Sequence, residues 1–159
     1  MPSLNSELID AVKEGNLKNT KLLLEQGANV KIADNNNTGL IHVAAQNNYD
    51  QILEELLKYK ADVNAVTFDN WSALHFAAMC GYEKIVRILI KGGIDVNIIG
   101  LLYGRTALHY AADKGHSEVV KLILEAGAKT DIIDKNGETP ISIAHRKGYE
   151  AIINLLSSK

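Results

Sequence analysis

Apolar residues in this chain of 159 residues cluster at helical rather than strand-like spacing. Val119, Val120, Leu122, Ile123 and Leu124 crowd one helical face, and Ile52, Leu53, Leu56 and Leu57, then Ile85, Val86, Leu89 and Ile90, do the same upstream. Each burst follows a segment whose inward positions are small, such as Ala77-Ala78 or Ala111-Ala112. The pattern predicts helix, tight turn, helix, long loop. Thr106 is placed to cap a first helix over about Ala107 to Lys114, and Gly115 ends it, because glycine takes a left-handed backbone cheaply. A second helix over about Ser117 to Glu125 stops at Gly127, and Asp134-Lys135-Asn136-Gly137 suits a hairpin-like tip. Pro140 then falls at the first helical position, where its missing N–H costs little.

The unit repeats. Gly39-Leu40-Ile41-His42, Ser72-Ala73-Leu74-His75, Thr106-Ala107-Leu108-His109 and Thr139-Pro140-Ile141-Ser142 begin 33, 34 and 33 positions apart. Gly15, Asn48, Gly81, Gly115 and Gly148 form a second series in the same register, and Gly27, Lys60, Gly93 and Gly127 a third. A period near 33 means a stacked array in which each unit buries its apolar face only against its neighbours.

On these residues the chain resembles the ankyrin repeat family. Leu74-His75-Phe76-Ala77-Ala78 and Leu108-His109-Tyr110-Ala111-Ala112 match that family's first helix. Gly81-Tyr82-Glu83-Lys84-Ile85-Val86 and Gly115-His116-Ser117-Glu118-Val119-Val120 match its second, and Ala61-Asp62-Val63-Asn64 its connecting segment. The resemblance implies an all-α solenoid of helix-turn-helix units joined by hairpin-like loops. We read one domain, 1–159, of five units at about 1–36, 37–69, 70–103, 104–136 and 137–159, with nothing appended. The first and last units read as caps: Asn19 and Thr20 stand where later units have Ile and Val or Leu, and Ser157 replaces Leu57, Ile90 and Leu124.

Composition adds limits. The net charge is -2 with cations spread through every unit, which gives no basic field for nucleic acid. The apolar stretch Ile85 to Ile90 is broken by Arg87 and is far short of the ~20 residues a membrane span needs. No secretory signal is visible at Met1 to Asn5, and Cys80 alone can form no internal disulfide, so a reducing cytoplasm and a monomer are expected.

Catalysis requires convergent groups, and here the candidates diverge. His42, His75 and His109 occupy equivalent positions of stacked units, ~8 to 10 Å apart. Ligands of one zinc each lie within ~2.1 Å of it, so these three cannot share an ion. The resemblance implies instead that each ties a helix start to the neighbouring loop. Gly92-Gly93 sits in a helix-ending slot rather than a phosphate cradle, and Cys80 has no evident basic neighbour to activate it. No cofactor, metal or catalytic residue is expected. Asn64 and Asn97, each after Asp-Val, look like asparagines hydroxylated in some ankyrin repeats, though bonding to the turn backbone is the simpler role.

What the scaffold leaves over is a row of loop tips and first-helix positions that, in arrays of this kind, line one concave surface. The row is amide-rich at Asn35, Asn36, Gln46 and Asn47, apolar and aromatic in the middle, and more basic toward Arg146 and Lys147. The loop around Leu101, Leu102 and Tyr103 is one residue longer than its counterparts and carries apolar side chains where other tips have Asp, Asn or Lys. Trp71 reads either as an anchor or as packing beneath the preceding tip. The expected function is a non-catalytic module binding a protein partner through Phe68, Trp71, Met79, Leu101, Leu102 and Tyr103, flanked by Arg105, Asp113, Arg146 and Lys147. A stoichiometric enzyme inhibitor and an effector of an intracellular bacterium are the alternatives.

Overall fold

The computed structural model describes residues 1–158. Among them are ten helices and no strand beyond two isolated bridges, Ala33 with Gly39 and Val66 with Ser72. The helices come in pairs: α1 (Leu4–Lys13) and α2 (Leu17–Glu25), α3 (Leu40–Gln46) and α4 (Asp50–Lys58), α5 (Ala73–Cys80) and α6 (Glu83–Lys91). They continue with α7 (Ala107–Lys114) and α8 (Ser117–Glu125), then α9 (Pro140–Lys147) and α10 (Glu150–Ser157). The first helices of successive pairs pack more closely on one another than the second helices do. The residues explain why. Ala44, Ala45, Ala77, Ala78, Ala111, Ala112 and Ala144, all fully buried, let the odd-numbered helices approach. Leu53, Leu56, Ile85, Leu89 and Ile123 hold the even-numbered ones further apart, so the stack curves with the first helices inside. Enlarging those alanines is expected to be costly: Ala78→Leu and Ala111→Leu should each lose ~1 to 3 kcal/mol. An unchanged melting temperature in both variants would mean that the close contact is not rigid.

Each pair turns through a left-handed residue. Gly81 and Gly115 both sit at φ 76°, and each is also needed for space, since the next unit lays a ring on it. A Cβ at Gly81 would come within 2.6 Å of the His116 imidazole, and one at Gly115 within 3.0 Å of Tyr149. Two of the repeat's glycine slots lack glycine: Asn48, equivalent to Gly81, at φ 60° and Lys60, equivalent to Gly93 after the second helix, at φ 69° bear the strain of an L side chain in that region, ~1 kcal/mol or more for the lysine. Both belong to the second unit, whose α3 is only seven residues long and is capped by Gly39, which has no hydroxyl. Hydrogen exchange should therefore open Leu40 to Tyr59 before Ala107 to Glu125. Greater protection in the second unit would refute that order.

One expectation about the first unit fails. Asn19 is exposed, but Thr20 is fully buried rather than part of a polar outer face. Its hydroxyl donates to the Asn16 carbonyl at 2.8 Å, one turn back along its own helix, which lets a polar residue occupy an apolar slot. Ser157 is exposed, as its position suggested, and donates to Ile153 O at 2.7 Å.

Candidate functional site

The buried histidines fix the platform on which the concave face is built. In His75 the backbone N–H of Ser72 donates to Nδ1 at 3.1 Å while Nε2 meets the Arg105 carbonyl, in the next loop, at 3.1 Å. His109 repeats this with Thr106 N at 3.1 Å and Glu138 O at 3.2 Å, and His42 with Gly39 N and Ala65 O, both at 2.9 Å. Only the neutral ring protonated on Nε2 satisfies both partners. The Ser72 and Thr106 hydroxyls join the same Nδ1 atoms at 2.9 Å, so these N-cap residues bind the imidazole rather than a backbone N–H. In the last unit Ser142 takes the histidine's place. Its hydroxyl oxygen accepts from Thr139 N at 2.9 Å and reaches no neighbouring loop.

The tips are joined edge to edge by backbone hydrogen bonds. Phe68 N–H donates to Asn36 O at 3.0 Å, Leu101 N–H to Asp69 O at 2.8 Å, and Lys135 N–H to Tyr103 O at 3.0 Å. Side-chain staples run alongside: Asn37 Nδ2 donates to Val66 O at 2.6 Å and Asn70 Nδ2 to Ile99 O at 2.8 Å. Lower on the loops Asn64 Oδ1 accepts from Asp95 N at 2.7 Å and Asn97 Oδ1 from Lys129 N at 2.9 Å. Both asparagine side chains thus bond the backbone of the next unit rather than that of their own turn.

On this frame Phe68 is 71% exposed, Leu101 58%, Leu102 60% and Tyr103 51%. The four stand on adjacent tips. Trp71 lies lower and is half-buried, stacked on His75 at 5.5 Å between ring centroids, with Phe76 at 5.1 Å and Tyr110 at 5.0 Å. It packs beneath the following tip, not the preceding one. Gly100 makes that possible, because a Cβ there would lie 3.0 Å from the indole Nε1. Phe76 and Tyr110 were not among the expected site residues, although each directly follows a motif histidine and so points along the same face. Met79 is half-buried on α5, and its carbonyl oxygen meets His116 Nε2 at 3.1 Å.

The charged flank is a closed network and not a row of free cations. Arg105 Nε donates to Asp134 Oδ2 at 2.8 Å, with side chains 13% and 0% exposed. Asp113 lies 3.6 Å from the same guanidinium, and Glu138 3.7 Å. Arg146 pairs with Glu138 at 2.9 Å and Lys147 with Asp113 at 3.6 Å. Three cations face three carboxylates, so the basic drift read along the row is largely neutralised within the chain. Burial alone would raise the Asp134 carboxyl, but the backbone N–H groups of Glu138 and Asn136 and the Arg105 guanidinium outweigh it and hold the group below the usual carboxylate range. Asp134 and Glu138 were missing from the expected site. The only hint was that Asp134 shares a tip position with Asp34.

No helix among the described residues is long and apolar enough to cross a membrane. No curated protein matches the chain. The family described as "Ankyrin repeats (3 copies)" matches residues 8–100 and 95–159, nearly the whole length, and this chain belongs to the ankyrin repeat family.

Proposed function

We propose that this chain is a non-catalytic protein-binding module that lays a partner segment across the concave face of the third and fourth units. Ankyrin repeats generally serve as protein–protein interaction modules, and stacked repeats present extended concave surfaces for that purpose. The observation that carries the particular surface is the clustering of Phe68, Leu101, Leu102 and Tyr103, all exposed, on two tips that are hydrogen-bonded to each other. Trp71 and Met79 form the floor behind them. The network of Arg105, Asp113, Arg146 and Lys147 borders them and acts mainly to hold the neighbouring tip in place. The same reading takes the protein to act as a monomer in a reducing cytoplasm, with Cys80 as an exposed free thiol.

Capture from the native lysate with wild type, Tyr103→Ala and Leu102→Asp side by side tests the surface. Each variant should weaken the partner's binding by more than ~1 kcal/mol while the melting temperature barely moves, because a solvent-facing tip contributes little to the stacked core. Full capture by both, with loss instead on changing exposed residues of the second helices, would place binding on the opposite face.

A further inference from the structure

A groove of about 480 Å³ opens beside the apolar tips, within the range of ligand-sized clefts. Its walls bring together three aromatic residues, Phe68, Trp71 and Phe76, with Leu102, and at the polar side Asn36, Thr38, Thr67 and Asp69. Asp69 is the one charged residue lining it. Its carboxylate makes no ion pair or hydrogen bond among the described residues, whereas every carboxylate of the Asp113, Asp134 and Glu138 network is answered by a cation of this chain. The side chain of Asn36 is likewise without a hydrogen-bond partner among those residues; only its backbone groups are engaged. The groove therefore offers aromatic faces, one uncompensated negative charge and spare oxygen acceptors, with no cation of its own. Ring faces attract cations through their quadrupole, tryptophan most strongly.

We propose that this groove receives an arginine side chain of the partner segment. A planar guanidinium can stack on an aromatic face while its five N–H donors meet a carboxylate and neighbouring oxygens; a lysine ammonium has three donors and no plane to stack. The arginine sits beside apolar residues that contact Leu101, Leu102 and Tyr103, so the partner segment is apolar with a single cation placed toward the second unit. This rests on the concave-face reading above, and the test below separates the two.

Trp71 is the only tryptophan, so all indole fluorescence comes from a residue that lines this groove. Acetyl-arginine methylamide, titrated into the full chain at low salt, should change that signal saturably at millimolar concentration. Acetyl-norleucine methylamide and acetyl-lysine methylamide should act more weakly. Asp69→Asn and Phe68→Ala should each weaken the arginine response about fivefold, and Arg87→Met, on an exposed second helix, should leave it unchanged. An equal response to norleucine would mean an ordinary apolar groove and overturn the proposal. An equal or stronger response to lysine would overturn the arginine assignment, and so would indifference to Asp69→Asn. If the arginine probe gives no response while Tyr103→Ala still weakens partner capture, the concave-face reading stands and the arginine proposal falls.

Discussion

Acidification from pH 7 to pH 4 is expected to remove about 3 kcal/mol of folding stability, most of it above pH 5, where carboxylates are still largely ionised. The cause is the row of buried histidines. Burial pushes the His75 imidazole down from 6.5 to about 4, against the opposing pull of its bond to the Arg105 carbonyl. His42 and His109 are lowered for the same leading reason, with the Ala65 and Glu138 carbonyls opposing. Protonation would place a second N–H at Nδ1, facing the backbone N–H that now donates to it. Since the folded pKa lies below the unfolded one, the contribution is complete above pH 6.5, declines as pH falls toward 4, and is spent below that. Each group adds about 1.4 kcal/mol per pH unit within its window. The lowered carboxylates, Asp134 among them, act in a separate window below their ordinary 3.8. Denaturant unfolding measured from pH 7 to pH 4 checks this. His75→Gln keeps an acceptor and a donor without titrating, and should reduce the slope by about one group's share. A stability flat from pH 7 to pH 5 would show that the rings are not held neutral.

The helical frame was legible in the sequence because its determinants are local. The spans Ala107 to Lys114 and Ser117 to Glu125 coincide with α7 and α8, since each is bounded by a left-handed glycine and filled by one apolar face. Even the departures kept their meaning: Asn48 and Lys60 adopt the backbone that glycine takes elsewhere. What the sequence hid depends on residues about one repeat apart. Arg105 reads as a free tip cation until the fold brings Asp134 against it, 29 positions on. Arg146 and Lys147 likewise read as a basic edge until Glu138 and Asp113 face them. Trp71 was ambiguous because its packing partner is a missing side chain, that of Gly100, in the following loop. Thr20 misled for a different reason: a hydroxyl can bond back along its own helix, so polarity at a position does not prove exposure. Leu101, Leu102 and Tyr103 stand out in both sequence and structure, as apolar side chains exposed on a tip where the other units carry Asp, Asn or Lys.

Arg105→Met is expected to be the most damaging single substitution on the concave side, at roughly 3 to 5 kcal/mol. Methionine preserves much of the apolar stem and removes only the guanidinium. Asp134, whose side chain is fully buried, would then keep the two backbone N–H groups of Asn136 and Glu138 on Oδ1, both at 2.9 Å, and lose its partner on Oδ2. A carboxylate without a counterion in that position is far costlier than the loss of a surface pair. The exposed Arg87–Glu118 bridge, at 3.1 Å with side chains 57% and 41% exposed, supplies the contrast: Arg87→Met should cost under about 1 kcal/mol. Adding Asp134→Asn to Arg105→Met should restore part of the loss, because the amide oxygen still accepts both backbone N–H groups and no charge is left unpaired. Urea unfolding of the wild type, Arg105→Met, Asp134→Asn and the double variant measures the coupling. A cost below 1 kcal/mol for Arg105→Met, or no recovery in the double variant, would mean that water already reaches Asp134. The tip bearing Leu101 to Tyr103 hangs between Gly100, whose N–H donates to Arg105 O at 2.9 Å, and Tyr103, whose carbonyl takes Lys135 N–H beside Asp134. Loosening the ion pair should therefore also weaken partner capture, with the anchors themselves untouched.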